Sequence, residues 1–148
     1  MAHNKTAEKK EIDRVCKLLF KAFCNKKNSK PQLDLLKELF IRNALIIKNS
    51  GPSPEIYDVA GFIKPRRKIL TDGTLTDFEE FELSERTDIF GRIAQRTGVY
   101  QKKGQQNGKP FEAKGVKMIQ FVKTKNGWRI SSLAWDDERE GLMIQDLL

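Results

Sequence analysis

Side chains able to do chemistry are few in this chain and poorly spaced for the common mechanisms. It has one histidine, His3, in an N-terminal tail ahead of the first periodic segment, so histidine-based acid/base catalysis is not expected. Cys16 and Cys24 lie eight residues apart in one helical pattern. That spacing separates their Cα atoms by about 12 Å, too far for a disulfide, and they read as buried free thiols. The acidic run Asp136-Asp137-Glu138 with Glu140 lacks the spaced oxygens and turn glycine of a calcium loop, and reads as a solvated segment after a strand. There is no Gly-rich phosphate loop, no Cys/His metal spacing and no G-x-S-x-G turn. No metal and no cofactor are therefore expected.

Charge narrows the partners without choosing one. The net charge is +8, and residues 1–30 carry nine basic and three acidic groups while residues 136–148 carry one and five. Lys10, Arg14, Lys17 and Lys21 recur at helical spacing. Such a stripe suits nucleic acid or an anionic surface, but no aromatic residue interleaves with it, so a solvated face explains it and a nucleic-acid partner is not favoured. No apolar run approaches the roughly 18 residues of a membrane span, and the N-terminus lacks the apolar core of a signal peptide. A cytoplasmic protein without a membrane partner is the expectation.

The elements that must position any site follow from periodicity. At 148 residues, 39% of them hydrophobic and evenly spread, the chain reads as one globular domain over 1–148, with 1–6 a flexible tail and 138–148 an extension. Ile12, Val15, Cys16, Leu19 and Phe23 predict a helix over Thr6 to Lys26. Ser29 to Gln32 has the form of a capping box before a short helix carrying Leu33, Leu36, Leu39 and Phe40, and Ala44 to Ile47 reads as a strand. Ser53-Pro54-Glu55 predicts the start of a third helix, bearing Ile56, Val59, Ala60 and Ile63, which Pro65 should end or kink.

Beyond Gly73 the chain turns extended. Asn107-Gly108 and Asn126-Gly127 are hairpin signals, which predict three long antiparallel strands near 87–104, 110–124 and 128–136, with bends or bulges at Gly91, Gly98 and Gly115. A two-residue turn at Asn126-Gly127 sets Ile119 opposite Ala134 and leaves Met118, Gln120, Val122, Leu133 and Trp135 on the far face. Both faces are then apolar and need covers. Helices supply one, and a second subunit meeting Met118, Gln120, Leu133 and Trp135 would supply the other, giving a homodimer through the sheet.

This order of helices and strands, ending in Asn126-Gly127-Trp128-Arg129-Ile130-Ser131-Ser132-Leu133-Ala134-Trp135, resembles the nuclear transport factor 2-like superfamily, with its ketosteroid isomerase-like and polyketide cyclase-like members. The resemblance spans about residues 7 to 137. It implies an α+β, cystatin-like cone in which three N-terminal helices pack on a curved, mostly antiparallel sheet around a pocket for a small apolar or weakly anionic molecule. It leaves the activity open among lyase, isomerase and noncatalytic protein- or nucleic-acid-binding module, because this fold hosts all of them. The family's Asp/His or Asp/Tyr pairs do not transfer cleanly here. The resemblance instead directs attention to Asp88 as a carboxylate base, with a strand-end salt bridge as its competing role. Tyr57 or Tyr100 would be oxyanion donors, Arg92 or Arg96 an anion clamp, and Tyr57, Phe62, Phe121, Trp128 and Ser132 the pocket lining.

Overall fold

Amphipathic periodicity places the first helix. In a computed structural model, which describes residues 5–147, α1 spans Lys5–Lys21 and buries Ile12, Val15, Cys16, Leu19 and Phe20 against the sheet. It begins inside the expected tail, taking in Lys5 and Thr6; His3 lies outside the described residues. The basic stripe Lys10, Arg14, Lys17 and Lys21 is exposed. Just past the helix, Asn25 is buried and fully used: its amide donates to the carbonyls of Leu70 (3.0 Å) and Leu75 (2.7 Å), and its oxygen accepts from the Phe78 amide (2.7 Å). One side chain thereby ties three segments together.

The capping box at Ser29 does not form. Gln32 makes no side-chain cap, and a 3₁₀ turn over Leu33–Leu35 leads into the short α2, Leu36–Leu39. Phe40 then opens β1 (Phe40–Lys48). The third helix starts later than Ser53, because Glu55–Tyr57 pairs with β1 as a short strand, β2. Asp58 becomes the cap of α3 (Val59–Thr71), its carboxylate accepting from the Gly61 amide at 2.7 Å. Pro65 neither ends α3 nor breaks it; burial of Phe62, Ile63 and Leu70 outweighs the one backbone bond it forfeits.

The remaining chain forms four long strands, β3 (Leu75–Phe90), β4 (Ile93–Gln106), β5 (Lys109–Thr124) and β6 (Gly127–Asp137). The sheet order is β2-β1-β6-β5-β4-β3, antiparallel except for the parallel β1–β6 pair. Three helices lie on one face of this curved, mixed sheet. Asn107 (φ 52°) and Gly108 (φ 80°) make the expected tight turn. The expected strand 87–104 is instead two strands, since Gly91 (φ 56°) turns the chain between Phe90 and Ile93. Gly98 sits in regular ladder pairing, and Gly115 lies where the Tyr100 ring crosses the strand.

Register decides which side chains face the helices. The last hairpin turns one residue earlier than expected, with Gly127 (φ 100°) opposite Thr124, and Ser131 is an extra residue between Ile130, opposite Phe121, and Ser132, opposite Gln120. That bulge returns Ile119, Leu133 and Trp135 to one face. Leu133 and Trp135 are consequently buried beneath the helices, a correction to their expected place on the outer face, where Met118 and Gln120 do lie. A second irregularity, between Glu82 and Ser84 on β3, flips parity there. Asp88, ten residues from the inward Phe78, would face inward in an unbroken strand but faces out, opposite Gln95.

Candidate functional site

Period two along β5 puts Gly115, Lys117, Ile119 and Phe121 on the helix side, and the same period on β3 aligns Glu80 with Phe78. Two opposite charges thus enter an apolar interior. Lys117 is only 7% exposed, and its Nζ lies 2.8 Å from Glu80 Oε1. The same oxygen accepts no aligned hydrogen bond from any described group, so the carboxylate keeps acceptor capacity. The ammonium sits 4.3 Å from the centroid of the Tyr100 ring and 4.6 Å from that of Trp135. Cation–π attraction holds it between them.

These groups border a cavity of about 370 Å³ between α3 and the inner face of the sheet. Its apolar wall includes Phe23, Phe62, Leu70, Phe78, Phe111 and Trp135. Among the described residues its charged groups are Lys48, Arg66, Lys102 and Lys117 against a single carboxylate, Glu80. Arg66 stacks on Phe62 with its guanidinium carbon 3.7 Å from the ring centroid, and burial pushes it below the ordinary arginine value. Lys102 pairs with Asp137 at 3.1 Å. Asp137 also accepts the Tyr100 hydroxyl, and burial together with that bond raises the phenol far above its ordinary value, so it stays neutral. An aromatic lining with convergent cations can hold an amphipathic anion, and the Glu80–Lys117 couple can move a proton within it.

The expected site residues do not converge. Phe62 lines this cavity, whereas Tyr57 is not among its lining residues and packs edge-on against Phe62 (5.8 Å between centroids) with its hydroxyl donating to Glu55 (2.6 Å). Trp128 is fully buried against α1, where its ring nitrogen donates to Glu8 and its amide to Glu11 (3.0 Å). Ser132 is on the outer face, bonded to Gln120 at 3.2 Å. Phe121 is buried on the helix side of the sheet, whereas Asp88 borders a separate outer groove, half exposed and 3.4 Å from Arg86.

Arg96 is 4% exposed and held by Asp13 (2.6 Å), Glu82 and Thr87 (3.2 Å), away from the cavity. Sequence reasoning missed Lys117 and Glu80. The signal for the first was legible, since period two from Ile119 and Phe121 puts a lysine on the buried row. Cys16 is buried, with its thiol pushed up to about 12 by desolvation.

No family model matches the sequence, and no curated protein matches it. Solved structures do. A nuclear transport factor 2-like superfamily protein from Salmonella enterica serovar Typhimurium superposes with a TM-score of 0.74 at 15% identity, covering 91% of this chain and 94% of that one. The fold is that of the nuclear transport factor 2-like superfamily. LinA shares it, with a TM-score of 0.76 at 12% identity over 91% of this chain and 88% of its own. So does a Xanthomonas campestris protein described as a calcium/calmodulin-dependent protein kinase II association domain, with a TM-score of 0.67 at 14% identity over 95% and 94% of the two chains. Identities this low carry the nuclear transport factor 2-like fold and not an activity. Among the described residues no helix is long and apolar enough to cross a membrane, and no three His, Cys, Asp or Glu side chains lie together as metal ligands.

Proposed function

We propose that this protein binds a small amphipathic carboxylate in the cavity between α3 and the sheet. The observation that carries this reading is the charge of the lining: four cationic side chains and one carboxylate around an aromatic wall. Partly burying Arg66 and Lys48 with no carboxylate at ion-pair distance among the described residues is unfavourable, and an anionic ligand offsets that penalty. Asp88, half exposed on the outer face, contributes nothing to this cavity, so any proton chemistry belongs to Glu80 and Lys117. A lyase or isomerase acting on a carboxylate substrate fits such a pair.

The test is calorimetric titration with benzoate and with benzyl alcohol, its uncharged counterpart. Benzoate should bind at one site per chain and benzyl alcohol about tenfold more weakly or worse, a difference of about 1.4 kcal/mol. Arg66→Gln should weaken benzoate alone. Equal affinity for the two ligands, or no benzoate binding, sinks the reading.

The outer face supports a further element, self-association of two copies. Phe90 is 83% exposed, Ile93 57% and Met118 54%, on the face that the helices leave open. Sedimentation at micromolar concentration should give a dimer that Met118→Glu dissociates; a wild-type monomer would remove this element.

A further inference from the structure

The Glu80–Lys117 couple has a feature that anion binding alone does not require. A cavity that only held a carboxylate needs no carboxylate of its own beside a cation, and among the described residues Arg66 has none at ion-pair distance. Lys117 instead reaches the cavity with a carboxylate oxygen 2.8 Å from its nitrogen, and that oxygen accepts no aligned hydrogen bond. A lysine becomes a nucleophile only as the neutral amine, which needs an apolar setting and a base within reach. Both are present here. The aromatic rings of Tyr100 and Trp135 fix the nitrogen, and Tyr100 cannot compete for the proton because its hydroxyl is engaged with Asp137.

From this geometry we infer that Lys117 is an imine-forming amine, with Glu80 its proton acceptor and donor, and that the ligand class is a carbonyl compound bearing a carboxylate. The inference rests on the anion-binding reading of the same cavity for its account of the carboxylate. The Lys117 ammonium gives a proton to Glu80, and its nitrogen lone pair forms a C–N bond to the carbonyl carbon. A proton passes from nitrogen to the former carbonyl oxygen, giving a neutral carbinolamine. The Glu80 carboxylic acid then protonates that hydroxyl, which leaves as water as the C=N bond forms. The product is a protonated imine beside the Glu80 carboxylate. No oxidant or reductant is consumed. Arg66, which shares the Trp135 ring with Lys117 at 5.8 Å from its centroid, is placed to hold the carboxylate end.

The experiment incubates the full chain with 4-formylbenzoate and sodium cyanoborohydride, a reductant added only to trap the imine, and maps the adduct by peptide mass spectrometry. Lys117 should be modified about tenfold faster than any other lysine, or more, and Glu80→Gln should slow that by about a hundredfold, the scale of a lost general acid/base. Lys117→Arg, with folding checked by circular dichroism, should abolish the selective adduct. Modification spread evenly over surface lysines, or an unchanged rate in Glu80→Gln, overturns the inference. Titration with benzoate separates the two readings. Benzoate binding without a selective adduct leaves the anion pocket standing and refutes the imine; a selective adduct without benzoate binding does the reverse.

Discussion

Replacing Lys117 with methionine removes one half of an ion pair whose side chains are 8% and 9% exposed. Solvent screening is negligible at that depth, so the cost is set by desolvation. Glu80 would be left as a buried carboxylate without its cation, a situation that costs about 3–5 kcal/mol. For a chain of 148 residues, unfolding entropy near 2.1 cal/mol/K per residue converts this into a melting temperature lower by about 10–15 °C. The double variant Glu80→Leu/Lys117→Met removes both charges and fills the space with apolar atoms, and it should recover most of that loss or exceed the wild type by about 1–4 kcal/mol. Urea unfolding of the four members of the cycle, with melting followed by circular dichroism, gives the coupling directly. If the pair is kept for the ligand, the stable double variant should no longer bind benzoate. A single variant within about 1 kcal/mol of wild type, or a double variant no better than the single, would refute the claim that the pair is desolvated and costly.

Two further outcomes follow from other buried polar groups. Asn25→Ala strands two carbonyls and one amide in the interior and should cost about 2–4 kcal/mol in urea unfolding, although no sequence pattern marks that residue. The Arg96 cluster should make stability fall with acid: burial works against the carboxylates of Asp13 and Glu85, but bonds from Lys9 and Arg96 to Asp13, and from Lys9 and Thr87 to Glu85, outweigh it and hold both below their ordinary values of 3.8 and 4.5. A lowered folded-state value stabilises fully above those ordinary values and is lost as pH falls through the folded ones. Wild-type stability should therefore decline below about pH 4.5, and Arg96→Met should flatten that decline while destabilising at pH 7; parallel pH profiles would contradict the assignment.

The fold was legible because its signals are local and repeated. The α1 stripe from Ile12 to Leu19, the Asn107-Gly108 turn and the apolar strands each follow from spacing that a few residues carry. The site was less legible because it depends on parity, and parity is set by single extra residues. One bulge at Ser131 moves Leu133 and Trp135 from the outer face to the core, and one irregularity near Leu83 turns Asp88 outward. Nothing in the residue types of Ser131 or Leu83 announces this, since neither is a glycine or a proline. The hairpin at Gly91 was missed for the opposite reason: a single glycine inside an alternating run reads equally well as a bulge.

The contrast between Arg96 and the cations of the cavity supports the proposed anion site. Arg96 is met by Asp13, Glu82 and Glu85, so its charge is compensated within the protein and nothing further is required of it. Arg96 is one of the two arginines, with Arg92, that the resemblance suggests as an anion clamp, yet a guanidinium surrounded by three carboxylates would repel an incoming anion. Around the cavity the balance is reversed. Arg66, Lys48 and Lys102 join Lys117 there, with Glu80 alone on the lining and Asp137 behind Lys102. A fold can carry such an excess only where solvent or a ligand completes it, and the aromatic wall beside it is what the proposed organic anion would pack against. Compensation, more than residue type, therefore separates the structural Arg96 from Arg66, the cation that the proposed anion would complete.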